Sequence, residues 1–118
     1  MSKILIVDDA FFVRVKIRNF LEGLGHEVFD ASDGALGLGV YEEINPDLVF
    51  CDVTMPEMDG LTFLKALIAK HPDAVVVMLT SASEQSVIME ALTLGARNFL
   101  VKPFDEDKAI EVIQTLLG

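Results

Sequence analysis

The sequence predicts an α/β fold in which a parallel sheet is wound with helices on both faces. Three observations predict it. Continuous apolar runs at residues 4–7, 48–51 and 74–79 lack the polar alternation of a half-exposed strand and read as strands buried on both sides. Stretches with apolar residues at helical spacing separate these runs, and no sequence repeat underlies the alternation. The runs also stop abruptly on polar side chains, Asp8 with Asp9, Asp52 and Thr80, where the loops of a parallel sheet begin.

Strand one is the run after Lys3. Residues 10–24 form an amphipathic helix with Val13, Ile17, Phe20, Leu21 and Leu24 inward and Gly25 as its stop. Phe11, Phe12 and Val15 fall outside that stripe, beside Arg14, Lys16 and Arg18. Two readings of them stand: an over-wide core face, or a docking surface near the acidic site. His26 and His71 are expected in solvent, and their separation offers no metal-type pair. Residues 28–31 make a weak second strand. Helix two, 33–44, carries Gly34, Gly37 and Gly39, each costing about 1 kcal/mol against alanine, so it should be the softest helix. Its glycine order, G-x-x-G-x-G, does not match the dinucleotide fingerprint.

The third strand ends on Asp52, and Met55-Pro56-Glu57-Met58-Asp59-Gly60 turns the chain away from it. Cys51, as its strand neighbour, should point to the opposite face and pack as a small core hydrophobe. Helix three follows at 59–71 with Leu61, Leu64, Leu67 and Ile68 inward, ended by Pro72. After the fourth strand, Ser81 and Glu84 have capping-box spacing for a helix that ends at Gly95. In that helix Val87, Ala91 and Leu94 form an inward face, whereas Ile88 and Leu92 form a second stripe directed at the edge near Phe99, joined by Val112. Either the helix is buried all round, or this second stripe is an exposed signalling surface. Residues 98–102 are strand five, and Asp105 caps a last helix over 105–117.

At 118 residues, 52% hydrophobic and 24% charged, the chain is expected to fold as one domain over residues 1–118. The apolar runs are too short for a membrane span or a secretory leader, so a cytoplasmic location is expected. A net charge of −10 disfavours direct binding to nucleic acid phosphates and favours a basic or cationic partner.

In a parallel sheet the carboxyl ends of the strands share one edge, which is where such folds bind ligands. That edge collects Asp8, Asp9, Asp52, Thr80 and Lys102. Clustered carboxylates repel one another, and hard oxygen donors without His or Cys point to Mg²⁺. A carboxylate screened by a cation and a lysine can attack phosphorus and form an acyl phosphate, which makes Asp52 the candidate nucleophile. Thr80 could donate to a phosphoryl oxygen.

These residues resemble the CheY-like receiver domains of two-component response regulators. The resemblance spans essentially the whole chain and rests on Ile4-Leu-Ile-Val-Asp8-Asp9, Cys51-Asp52 with Met55-Pro56 and Asp59-Gly60, Thr80-Ser81-Ala82, and Lys102-Pro103-Phe104. It implies a flavodoxin-like (βα)5 fold with strand order 2-1-3-4-5. It further implies that Asp52 is the phosphoacceptor and that Asp9, Asp52 and the backbone carbonyl of Thr54 ligate Mg²⁺. Asp8 would hold metal-bound water, and Lys102 would pair with the acceptor or its phosphate. Thr80 and Phe99 would be the switch pair, and Lys102-Pro103 a cis peptide. The implied partners are a sensor histidine kinase or histidine phosphotransfer protein as donor, and an effector protein or second receiver as target.

The domain would catalyse its own phosphorylation and dephosphorylation while acting as a switch rather than a metabolic enzyme. Thr54 and Ala82, at the positions that modulate hydrolysis in the family, carry no carboxylate or amide, so dephosphorylation is expected to be slow. A flavodoxin-like cofactor binder would need a phosphate-cradling loop where Asp8-Asp9-Ala10 stands, and a haloacid-dehalogenase-type phosphatase an Asp-x-Asp on strand one. An inert interaction domain of this family would typically have lost a key residue, and all are present.

Overall fold

Alternation within each apolar run decides how the molecule is layered. Ile4, Ile6, Leu48 and Phe50 point to one side of a sheet, and Leu5, Val7, Val49 and Cys51 to the other. Both sides must therefore be covered. The computed structural model describes residues 2–118 and shows how. Five strands, β1 (Lys3–Val7), β2 (Glu27–Ala31), β3 (Leu48–Asp52), β4 (Val76–Thr80) and β5 (Asn98–Val101), pair in parallel in the order β2-β1-β3-β4-β5. Five helices connect and follow them: α1 (Phe11–Gly23), α2 (Gly34–Ile44), α3 (Gly60–Lys70), α4 (Gln85–Leu94) and α5 (Glu106–Leu117). This is the expected flavodoxin-like (βα)5 arrangement.

Helices α1 and α5 cover one face, where Ile17, Leu21, Ala109, Val112 and Ile113 meet Ile4, Ile6, Phe50, Val77 and Leu79. Helices α2, α3 and α4 cover the other, with Tyr41, Phe63, Leu64, Leu67, Ile88 and Ala91 against Val7, Val49, Cys51 and Met78. Cys51 lies in this second layer as expected. Burial, followed by the charges of Asp52, Asp8 and Asp59, pushes its thiol well above the usual range, so it stays protonated.

Several expected positions change. Leu24 is 44% exposed because α1 has already ended and Leu24 is its C-cap; the chain then turns through Gly25 at φ 94°. The inward face of α3 is centred on Phe63, Leu64 and Leu67, with Leu61 and Ile68 flanking it, so Phe63 is the residue the spacing missed. Ile88 is only 5% exposed and shares the inner face with Ala91, three positions on. The outer apolar group is Met89 and Leu92 with Phe99 and Val101 on β5. Val112 does not join them: it belongs to the layer on the opposite side of the sheet.

The histidines are half-buried rather than solvated. His26 Nδ1 accepts from the Ser2 amide at 3.3 Å, and His71 sits 2.9 Å from Glu42 with its ring against Tyr41. Phe11, Phe12 and Val15 are exposed, which removes the reading of α1 as an over-wide core face. Two glycines of α2 have a packing role: a Cβ on Gly37 would meet Val7 at 2.9 Å and Phe63 at 3.0 Å, and one on Gly34 would meet the Met58 side chain at 2.7 Å. Among the described residues no helix is long and apolar enough to cross a membrane.

Candidate functional site

The sheet is wound in opposite directions on either side of β1 and β3, and this reversal opens a crevice beyond their carboxyl ends. Register puts Val7 beside Cys51, so the next residues, Asp8 and Asp52, enter the crevice together. Farther along the same edge, Asp52 pairs with Leu79 and Thr80 with Val101, which brings Thr80 and Lys102 alongside. Three carboxylates, those of Asp8, Asp9 and Asp52, each place an oxygen within 4.8 Å of the others. Asp8 is wholly buried and Asp52 is 5% exposed.

Charge balance inside the crevice rests on Lys102. Its Nζ donates to Asp52 Oδ1 at 2.9 Å and lies 3.6 Å from Asp8 Oδ2. Burial raises the Asp52 carboxyl, the Lys102 hydrogen bond lowers it, and repulsion from Asp8 raises it again; the net direction is upward. For Lys102 burial opposes the charged form, but the hydrogen bond and attraction from Asp52, with Asp8 behind it, hold the ammonium above its ordinary range. One lysine does not neutralise three carboxylates.

Asp8 is fixed from two sides: its Oδ1 accepts from the Ala10 amide at 2.8 Å, and Arg14 Nη1 donates to its backbone carbonyl at 2.6 Å. Arg14 also lies 3.6 Å from Asp30. Asp8 Oδ2, although buried, has no hydrogen-bond partner among the described residues. An orphaned carboxylate oxygen facing two further carboxylates fits a hard divalent cation, as receiver domains bind Mg²⁺ at such an acidic pocket.

The loop after β3 depends on Gly60. Its amide donates to the Val53 carbonyl at 2.8 Å, and a Cβ there would stand 2.2 Å from the Asp52 carbonyl oxygen. Only glycine lets the start of α3 press this closely on the strand end. Asp59 caps α3 through the Thr62 amide, and Glu57 takes φ 66° in the turn. The Thr54 amide donates to Asp52 Oδ1 at 3.4 Å. The expected Lys102-Pro103 cis peptide is present.

Thr80 is buried, but its hydroxyl points to the Ser81 carbonyl at 3.2 Å and to Glu84 Oε1 at 3.4 Å. Glu84 is the residue that sequence reasoning missed as part of the site. Its spacing from Ser81 was legible, and the reciprocal arm of that box forms: Glu84 Oε1 accepts from the Ser81 amide at 2.9 Å. The box caps a short 3-10 turn, Ala82–Glu84, ahead of α4. Its second oxygen takes the hydroxyl of Thr54, a contact that only the fold creates. Phe99 lies on β5, 37% exposed, across a groove of about 380 Å³ that Thr80, Ile88, Met89, Leu92 and Val101 also line.

Known proteins share this fold and much of this sequence. The family model for the response regulator receiver domain matches residues 4–114. The chain is 42% identical to the chemotaxis protein CheY of Listeria monocytogenes over 115 residues, 97% of each protein. It is 40% identical to Protein CcdB of Bacillus subtilis, over 100% of this chain and 99% of that one. A crystal structure of Vibrio cholerae CheY4 superposes with a TM-score of 0.92 at 31% identity, covering 98% of both chains. With a receiver match over nearly its full length, the chain belongs to the response regulator receiver family and is a CheY-like domain of two-component signalling.

Proposed function

We propose that this domain accepts a phosphoryl group on Asp52 from the phosphohistidine of a sensor histidine kinase or phosphotransfer protein, or from a small acyl phosphate. The observation that carries the reading is the crevice itself: a nearly buried carboxylate, Asp52, held 2.9 Å from Lys102 beside the orphaned oxygen of Asp8. Asp52 Oδ attacks phosphorus, the bond to the donor nitrogen or acyl oxygen breaks, and the electron pair leaves with the donor. Lys102 holds the carboxylate in place and then balances charge on the phosphoryl oxygens.

Asp9, Asp52 and the Thr54 carbonyl would hold Mg²⁺, with Asp8 behind a bound water. When bound, Mg²⁺ supplies charge neutralisation between the carboxylates and the incoming phosphoryl group. Thr80 and Phe99 line one groove, so a Thr80 drawn toward the phosphoryl group changes the space beside Phe99. The exposed surface of α4 and β5, with α5 beyond it, then changes its fit to an effector protein or second receiver.

Incubation with acetyl phosphate and Mg²⁺ should add one phosphoryl group by intact-protein mass spectrometry. Borohydride reduction, which converts an aspartyl phosphate to homoserine, should mark Asp52. A mark at any other residue overturns the assignment. Mg²⁺ should also raise the melting temperature, by about 1.4 kcal/mol of stability at a tenfold excess over Kd. Asp9→Asn should melt above the metal-free parent, because one repelling carboxylate is gone. A parent indifferent to Mg²⁺, or an Asp9→Asn protein less stable than it, would count against the pocket.

A further inference from the structure

One carboxylate ties together three segments that surround the proposed switch residue Thr80. Glu84 Oε1 accepts from the Ser81 amide and the Ser81 hydroxyl, both at 2.9 Å, and lies 3.4 Å from the Thr80 hydroxyl. Glu84 Oε2 accepts from the hydroxyl of Thr54, 30 residues away in the loop that follows Asp52. Glu84 thus joins the loop after β3, the end of β4 and the entrance of α4. The Thr54 hydroxyl first, and the Ser81 amide next, hold the Glu84 carboxyl below its usual range, so it is ionised at neutral pH.

The Thr80 hydroxyl has a single proton. In this arrangement its acceptors are the Ser81 carbonyl and Glu84. It cannot serve them and also donate to a phosphoryl oxygen on Asp52. The two arrangements are therefore exclusive, and the Glu84 carboxylate, held in place by Ser81 and Thr54, favours the first.

We infer that Glu84 is a positioning residue that latches Thr80 and the Thr54 loop in the unphosphorylated arrangement and so sets how readily the site switches. The inference rests on the phosphoacceptor reading of Asp52 and adds to it a determinant outside the crevice. A group that binds the switched arrangement must displace the latch, and its apparent affinity falls by that cost. Removing the latch restores the affinity.

The test is a titration with Mg²⁺ and beryllofluoride, a phosphoryl mimic, followed by amide NMR shifts at Thr80 and Phe99. Glu84→Ala should bind about three- to tenfold tighter than the parent. Glu84→Gln should fall between the two, since its amide oxygen still accepts from the Ser81 amide, and it carries the comparison if Glu84→Ala melts too low. In a Thr80→Val background the gain from Glu84→Ala should vanish, because the latched hydroxyl is absent.

A parent that binds beryllofluoride while Glu84→Ala and Glu84→Gln match it overturns the latch alone. A gain that persists undiminished in the Thr80→Val background also overturns it, leaving Glu84 as a mere source of negative charge. A parent with no beryllofluoride response removes the phosphoacceptor reading, and the latch falls with it.

Discussion

Asp52→Asn should accept phosphoryl groups from acetyl phosphate at a rate lower by about a thousandfold or more, since a carboxamide is no nucleophile toward phosphorus. The same substitution should raise the melting temperature of the metal-free protein at neutral pH. Asp52 is nearly buried beside Asp8, and its carboxyl is held above its ordinary value. The folded state therefore binds the Asp52 proton more tightly than the unfolded chain does. Stability falls as pH rises from the ordinary carboxylate range through the raised value, and the loss is complete above it.

Lys102 does not offset this slope near neutrality, because its raised ammonium gives stability that is lost only at alkaline pH. Asp52→Asn lacks the Asp52 part of the slope. Thermal melts of both proteins in EDTA, from about pH 4 to about pH 8, should diverge as pH rises, with the variant the more stable at the upper end. Parallel curves, or a variant that melts lower throughout, would show that Asp52 is not under electrostatic stress in the apo crevice.

Gly60→Ala should be the most damaging glycine-to-alanine change in this chain. The new Cβ would stand 2.2 Å from the Asp52 carbonyl oxygen and 2.8 Å from Val53 Cα, and both are backbone atoms of the loop that carries the site. No rotamer change relieves a clash with backbone, so either α3 withdraws from β3 or the Asp52–Thr54 segment shifts. A loss of about 3 kcal/mol is expected, which lowers the melting temperature by roughly 10–20 °C. Gly39→Ala is the control. Nothing lies within 4 Å of its Cβ, and alanine in a helix gains about 0.5–1 kcal/mol over glycine. Equal melting temperatures for Gly60→Ala and the parent would mean that the contact is not as close as the structure shows.

Much of the site was legible because its residues terminate strands that are buried on both faces. A central strand cannot hide its end: Val7 and Cys51 are apolar, Asp8 and Asp52 are not, and topology alone sends both to one edge. Glu84 was legible only as a cap, because its link to Thr54 crosses 30 residues and exists only after β3 and β4 have paired. Helical spacing also says which residues share a stripe without saying which layer that stripe joins. Val112 was misplaced for that reason, since the crossovers put α5 with α1 and α4 across the sheet. In α3, apolar residues at 61, 63, 64, 67 and 68 share an arc of roughly 160°, and only burial in the layer that holds Val7 picks out Phe63 as its centre.

The sheet splits the interior into two compartments that share a wall of paired strands and exchange no side chains across it. Repacking on the side of α3 and α4 meets, on the side of α1 and α5, only the backs of strands held by their own hydrogen bonds. Substitutions around Val112 or Ile113 should therefore act first on overall stability, whereas those around Ile88 and Ala91 also alter the fit of the groove that Thr80 and Phe99 share. The same loss of stability therefore carries different consequences on the two sides of the sheet: on one it loosens the fold, and on the other it loosens the fold and reshapes the groove as well.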